Sequence, residues 1–314
     1  MRWREPPPWP FPSKLTSRSA TTGARWRPSR WHPPPEPGTS MPELPEVETL
    51  ARDLRAAVVG HRFESVELLR EDVLRMPPPN VFRQVLTGQS VTSVDRRGKF
   101  LLFGLDGGDE LMVHLGMTGH LVVCDADDPA ARHTHLRARL DDGRELRFDD
   151  TRRFGRVAYG SRALLEASRV LPPLGLEPLS DEFTASELDR LLRRSTRMLK
   201  SALLEQDRVA GLGNIYVDEA CFLAGVRPTR RCHRLTRPQR RALHAAIQAV
   251  LRQAIENRGS SVDDYRDVWN AAGRNQEVLQ VYGRGGQPCF RCGTTLRRTM
   301  VSGRTTVYCP HCQR

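Results

Sequence analysis

The sequence predicts an α+β protein, and three observations point there. Apolar residues alternate with polar ones in short runs between residues 61 and 171, they recur at helical spacing from 184 to 257, and two Cys-x2-Cys pairs close the chain. The expected order is a helix packed on a mainly antiparallel two-sheet β-sandwich, then a helical unit, then a cysteine-rich hairpin.

The first helix is read from Met41-Pro42-Glu43-Leu44-Pro45-Glu46-Val47-Glu48. Pro45 suits a first helical turn, and Glu46 and Glu48 complement the positive end of the helix dipole. Val47, Leu50, Leu54, Ala57 and Val58 make its apolar stripe, and Gly60 can close it. Residues 101–105 and 111–115 then flank Asp106-Gly107-Gly108, a turn signal. Leu136, Ala138 and Leu140 alternate with charged residues before a second turn at Asp142-Gly143. Pro172-Pro173-Leu174-Gly175 marks a boundary. Beyond it Leu199, Ala202, Leu203 and Gln206 share one helical face, with Met198 beside them. Leu243, Ile247, Val250, Leu251, Ala254 and Ile255 form another, beginning near Thr236 and closed by Gly259. Residues 260–285 are polar with few aliphatics and read as a mobile loop.

Residues 1–40 differ from the rest. They hold ten prolines, several arginines and almost no aliphatic residues. Such a segment buries too little surface to offset its ordering entropy, so disorder is expected. It has no apolar stretch suited to a secretory signal, and its prolines oppose the amphipathic helix of a transit peptide. Translation from Met41, or removal of the extension, is the expectation. The division follows: a Pro/Arg-rich extension at 1–40, a β-sandwich domain at 41–172, a helical domain at 173–275 and a hairpin at 276–314.

The formal net charge is +12, which suits a polyanion such as nucleic acid, the alternative being a solvated arginine-rich surface. Of 49 basic residues only Lys14, Lys99 and Lys200 are lysines. A lysine kept in so arginine-rich a chain can do what arginine cannot, which is lose a proton. Cys124, Cys221 and Cys232 are scattered singly, unlike a secreted disulfide framework, so a reducing compartment is expected. No apolar run is long enough to span a membrane.

Cys289, Cys292, Cys309 and Cys312 form the pattern Cys-x2-Cys-x16-Cys-x2-Cys. Two knuckles at that spacing predict one structural zinc ion, closed and non-catalytic, rather than redox cysteines. Residues 296–300 and 305–308 read as hairpin strands with a tip at 301–304. That tip projects Arg304 outward, toward a groove or phosphate, or simply into solvent. The turn Gly211-Leu212-Gly213-Asn214 lies between two helices. Its glycines allow close backbone approach, and the helix start behind it suits a phosphate, although a plain connection has the same pattern.

Together these residues resemble the formamidopyrimidine-DNA glycosylase family. The resemblance covers residues 41–314. It rests on Met-Pro-Glu-Leu-Pro-Glu-Val-Glu-Thr at 41–49, Arg-Arg-Gly-Lys at 96–99, His-Leu-Gly-Met-Thr-Gly at 114–119, Arg-Arg-Phe-Gly at 152–155, Gly-Leu-Gly-Asn-Ile-Tyr at 211–216 and the terminal finger. It implies a β-sandwich, a helix–two-turn–helix domain and a zinc finger hairpin around a DNA cleft. The implied activity flips an oxidised purine such as 8-oxoguanine or a formamidopyrimidine out of damaged double-stranded DNA, removes it, and nicks the strand by β,δ-elimination. The implied catalytic residues are Pro42, as an N-terminal amine nucleophile, Glu43 as general acid, Lys99 near phosphate and base, and Arg304 on a phosphate. Met117, Arg152 and Phe154 match the residues that fill the vacated stack. His133 and Asn214 match backbone-binding positions, and Lys200 matches a helix lining the cleft. A monomer in a bacterial-type cytoplasm, associated with the nucleoid, is implied as well.

Two departures bear on this. Asp150-Thr151-Arg152-Arg153-Phe154-Gly155 lacks the proline the family often carries after the aspartate, which is expected to loosen that loop. Residues 260–285 also differ from typical members. Two alternatives stand beside the purine enzyme. One is an endonuclease VIII-like glycosylase for oxidised pyrimidines. The other is a non-catalytic binder of damaged DNA, should residues 1–40 stay attached.

Overall fold

The computed structural model describes residues 41–314 apart from residue 263, so the expectation for 1–40 lies outside the described residues. Helix α1 (Leu44–Val58) forms where its stripe predicted, with Leu50, Leu54 and Val58 fully buried. Gly60 follows in the left-handed region at φ +88°. Behind it come β1 (Phe63–Leu68), β2 (Leu74–Met76), α2 (Pro79–Leu86), β3 (Val91–Arg97), β4 (Phe100–Leu105), β5 (Glu110–His114), β6 (Gly119–Asp125), β7 (Thr134–Leu140), β8 (Arg144–Asp150) and β9 (Arg156–Gly160).

These strands make two facing sheets, ordered β1-β7-β8-β6 and β2-β9-β5-β4-β3. Pairing is antiparallel except for β2 beside β9. Phe63, Phe103 and Phe148 fill the space between the sheets, and Leu50 and Leu54 of α1 join the same cluster. Full burial of each such side chain contributes roughly 1.5–3 kcal/mol.

The second half is helical: α3 (Arg162–Ala167), α4 (Ala185–Leu192), α5 (Leu199–Leu203), α6 (Asn214–Leu223) and α7 (Arg237–Glu256). Helix α7 starts in a capping box, Thr236 accepting from the N–H of Gln239 while Gln239 accepts from the N–H of Thr236. Such a cap is worth about 1 kcal/mol. Helix α6 is unusual because Ile215 through Phe222 are all buried, Asp218 and Glu219 included. Leu44, at the first turn of α1, packs in this helical cluster, whereas Val47 onward packs in the sandwich. The start of α1 therefore lies at the seam between the two halves.

Residues 260–285, expected as a loose polar loop, are fastened at several points. Tyr265 and Val268 are buried in the sandwich cluster, and the N–H of Val123 on β6 donates to the Val268 carbonyl at 3.2 Å. The Glu219 carboxylate accepts from the N–H groups of Gln280, Val281 and Tyr282 at 2.8–2.9 Å. A polar composition concealed the two apolar anchors and the buried acceptor.

The chain ends in a hairpin of β10 (Arg297–Val301) and β11 (Arg304–Tyr308). Its turn is only Ser302-Gly303, at φ +50° and +70°, the primed geometry favoured in two-residue hairpins.

Candidate active site

Glu43 sits at the N-terminus of α1 and is 1% exposed. Its carboxylate accepts from the N–H of Ile215 at 2.8 Å and, more weakly, from that of Tyr216 at 3.4 Å. The free N–H groups at the start of α6, expected to suit a DNA phosphate, are thus turned on Glu43. A carboxylate satisfies the same dipole and donors that a phosphate would. The glycines of the 211–214 turn make the approach possible. A Cβ on Gly213 would stand 2.3 Å from the Glu43 carboxyl carbon, and one on Gly211 2.7 Å from the Leu44 Cβ. Burial pushes the Glu43 carboxyl above its ordinary range, while Lys99 and the donated N–H groups oppose the shift.

Lys99 lies in the turn between β3 and β4, just before the strand start expected for it. Burial pushes its ammonium below the ordinary range, Glu43 opposes this, and Arg304 adds to it. Arg304 is the first residue of β11 and only half-exposed. The tip is Ser302-Gly303 alone, so Arg304 stands in the strand beside it rather than in the tip. Glu43, Lys99, Arg304 and Asn214 line one cleft of about 450 Å³, with Met41, Phe100 and His114. Pro42, immediately before Glu43, is buried. The Oδ1 atom of Asn214 is buried without a hydrogen-bond partner.

His114 escaped sequence reasoning. It is 4% exposed at the end of β5, its ring tilted against Phe100 with centroids 4.7 Å apart. Its Nδ1 lies 3.2 Å from the N–H of Gly116 and accepts from it, which assigns the neutral tautomer with hydrogen on Nε2. Burial, then Lys99, push its pKa down to about 3.

The turn after His114 carries Met117, 7% exposed and outside the hydrophobic clusters. Beside it the 150–155 segment holds Arg152 with its guanidinium 4.8 Å from the centre of the Phe154 ring. Asp150 ties the two turns together. One oxygen accepts from the Thr118 hydroxyl at 2.5 Å and the Arg152 N–H at 3.1 Å, and the other from the Gly155 N–H at 2.7 Å. This carboxylate fixes the loop that the missing proline was expected to loosen. His133 adjoins it, its carbonyl accepting from the Asp150 N–H at 3.0 Å.

Lys200 departs from its expectation. It is 0% exposed, and its ammonium lies 2.7 Å from Asp218 Oδ1 and 3.0 Å from the Thr305 carbonyl. Asp218 Oδ2 accepts from the Val307 N–H at 3.0 Å. The pair binds α5, α6 and β11 to one another, so Lys200 faces the protein interior and not a DNA surface. Its rarity among the basic residues marked a special environment, and burial is that environment.

The sulfur atoms of Cys289, Cys292, Cys309 and Cys312 lie within 4.8 Å of one another. A tetrahedral ion with Zn–S bonds of about 2.3 Å needs S–S edges of about 3.8 Å, so these four ligands fit one structural zinc. The N–H of Cys312 points at the Cys309 sulfur at 3.4 Å, and Gln313 accepts from the Cys309 N–H at 2.7 Å. The other end of the Gln313 amide donates to the Val226 carbonyl at 2.9 Å, docking the knuckle on the chain just past α6.

Sequence reasoning also passed over the wider role of Glu46, read only as a first-turn carboxylate complementing the helix dipole, and missed Tyr216 and Ser260. Glu46 is 1% exposed, and burial, then Glu43, push its carboxyl up to about 7. Only its place in a first helical turn was visible in sequence.

Comparison with known proteins agrees with this geometry. Residues 41–157 match the formamidopyrimidine-DNA glycosylase N-terminal domain, 174–266 the H2TH domain of the same enzyme, and 286–314 the zinc finger found in FPG and IleRS. The formamidopyrimidine-DNA glycosylase of Pelotomaculum thermopropionicum is 44% identical over 87% of this chain and 99% of its own. That of a Roseiflexus species is 46% identical over 87% and 100%. Among solved structures, MutM (FPG) from Thermus thermophilus is 42% identical with a TM-score of 0.78, covering 87% of this chain and 98% of its own. A Lactococcus lactis FPG mutant in complex with Fapy-dG-containing DNA is 36% identical with a TM-score of 0.81, covering 87% and 100%. The chain belongs to the formamidopyrimidine-DNA glycosylase family.

Proposed function

We propose that this protein removes oxidised purines, 8-oxoguanine and formamidopyrimidines, from duplex DNA and then nicks the abasic site by β,δ-elimination. The observation that carries the reading is the convergence of Glu43, Lys99 and Arg304 on one cleft, with Pro42 directly before Glu43. Once free, the Pro42 nitrogen is a secondary amine whose pKa lies well below that of a lysine side chain. It attacks C1′ of the damaged nucleotide. The bond from C1′ to the base breaks, the base leaves with the electron pair and takes a proton, and an iminium ion joins protein to sugar. Glu43, whose carboxyl burial shifts toward the protonated form, gives a proton to the ring oxygen as the sugar opens. The iminium acidifies C2′. Loss of that proton expels the 3′ phosphate, and a second elimination expels the 5′ phosphate. Arg304 sits where it can hold a phosphate, and Lys99, with its lowered pKa, where it can move a proton.

Arg152, Phe154 and Met117, which lie on adjoining turns, fill the gap left by the flipped nucleotide in this reading, with His133 and Asn214 on the backbone. Inside a peptide bond the Pro42 nitrogen has no basic lone pair, so the residues before Pro42 must be absent for the amine to act. We assign catalysis to 41–172, DNA gripping to 173–275 and the zinc finger to 276–314, in a monomer. Among the described residues no helix is long and apolar enough to cross a membrane, and the relatives' sources fit a bacterial cytoplasm.

Borohydride trapping tests the reading. A chain beginning at Pro42 is expected to give a covalent complex with 8-oxoguanine duplex, and a chain beginning at Met41 none. No trapping with a verified free Pro42 would overturn the mechanism. Faster excision of thymine glycol than of 8-oxoguanine would select the endonuclease VIII-like alternative.

A further inference from the structure

Between the start of α1 and residues 260–276 runs a set of buried polar groups that the reaction above does not use. Tyr216, on α6, is 0% exposed, and its hydroxyl donates to Glu46 Oε1. The same hydroxyl lies 3.0 Å from Ser260 Oγ. The Ser260 N–H also donates to Glu46 Oε1, at 2.7 Å, and Asn275 Nδ2 donates to Ser260 Oγ at 2.9 Å. The other Glu46 oxygen accepts from the N–H of Glu43 at 2.9 Å. One carboxylate therefore holds the beginning of the catalytic helix on one oxygen and the root of the 260–276 segment on the other.

The joint has little slack. Gly259 is at φ +81°, and a Cβ there would lie 3.0 Å from Glu46 Cγ and Oε1. Farther along, Asp264, Arg266 and Asn270 line a groove of about 460 Å³ with Thr118 and Thr151, which flank Met117 and Arg152. The segment thus spans from the Glu43 backbone to the turns that carry the gap-filling side chains.

We propose that the Tyr216 hydroxyl is a positioning group for catalysis, locking Glu46 to Ser260 so that the 260–276 segment sets where Pro42 and Glu43 stand. The inference rests on the reaction proposed above. Phenylalanine keeps the ring packing and deletes only the hydroxyl, leaving Glu46 Oε1 and Ser260 Oγ each short of one partner. A hydroxyl that merely satisfied its neighbours would cost stability when lost. One that positions the reacting groups slows chemistry in folded, DNA-bound enzyme.

The test uses zinc-loaded chain beginning at Pro42. It measures single-turnover excision from 8-oxoguanine duplex and equilibrium binding to duplex carrying a tetrahydrofuran abasic analogue. Tyr216→Phe is expected to slow excision at least tenfold while Kd stays within twofold. Ser260→Ala is expected to slow it too, and the double variant to be no slower than the worse single one, since both break the same joint. A Tyr216→Phe rate within twofold of the parent overturns the proposal. So does slowing matched by an equal loss of binding, or effects that multiply in the double variant. If Tyr216→Phe does not fold, Ser260→Ala decides alone, and an unchanged rate overturns the proposal. An inactive parent chain overturns the reaction itself, and the inference with it.

Discussion

Gly213→Ala separates placement of the general acid from stability of the fold. The backbone at Gly213 is extended, φ −139°, so alanine meets no conformational strain. Its Cβ would stand 2.3 Å from the Glu43 carboxyl carbon and 2.5 Å from Oε1, against ordinary contacts of 3.4–4 Å. The carboxyl must retreat by about 1 Å or more, a misplacement on the order of 100-fold in rate for a reacting group. The side chain is flexible at that end, so the folding cost is modest. It comprises the bond to the Ile215 N–H, about 1.5–3 kcal/mol at most for a charged acceptor and less for one partly protonated, and up to about 1 kcal/mol for alanine at the N-cap. Gly211→Ala is the contrast. Gly211 is at φ +82° and its new Cβ would press on the fully buried Leu44, adding backbone strain of about 1–2 kcal/mol to overpacking of about 1–3 kcal/mol. Single-turnover excision and thermal unfolding of both variants are the assays. Gly213→Ala excising within threefold of the parent would refute the reasoning, as would a stability loss exceeding that of Gly211→Ala.

Three further outcomes are expected. Cys309→Ser should lose its zinc, read by metal analysis, and bind lesion duplex at least tenfold more weakly; full affinity in metal-free protein would contradict this. In the chain from Pro42 only two lysines remain, so reductively methylated protein should show two lysine signals by NMR, with Lys99 titrating below the ordinary range. Arg304→Ala should move that midpoint upward, and an unmoved midpoint would show that the two cations do not face each other. Glu46 is an acid whose folded pKa, about 7, exceeds its ordinary value of 4.5. Below 4.5 it is protonated folded and unfolded alike, so its stability contribution is intact there and is lost as pH rises to about 7. The loss is up to about 3 kcal/mol by linkage. Denaturant unfolding from pH 4.5 to 8 should therefore fall more steeply for the parent than for Glu46→Gln, and parallel curves would disprove it.

Where local rules govern, the sequence was legible. The turn signal at Asp106-Gly107-Gly108 placed the paired strands on either side of it, Thr236 marked the start of α7, and knuckle spacing identified the metal ligands. What stayed hidden depends on partners far along the chain. Nothing near Lys200 announces Asp218, and nothing near Glu43 announces the helix start at Ile215, 172 residues away. The glycines at 211 and 213 were read as room for an incoming phosphate, but the room is occupied by α1. Arg304 was read as part of a four-residue tip reaching toward a groove, a phosphate or solvent; the turn is only two residues, so Arg304 stands in the strand and lines the cleft. Tyr265 and Val268 were submerged in a polar stretch too irregular to show a period.

Helix α6 is ten residues long, about 15 Å from end to end. Within that distance four of its residues, Ile215, Tyr216, Asp218 and Glu219, serve Glu43, Ser260, Lys200, the hairpin and residues 280–282, Asp218 holding both Lys200 and the hairpin. Domain shuffling is consequently restricted. A hairpin borrowed from a relative would have to present its own N–H to Asp218, and a borrowed sandwich would have to deliver a carboxylate to Ile215. Chimeras joined on either side of this helix should succeed only when the helix travels with both neighbours, so the three recognisable modules are expected to behave as a single inheritable unit.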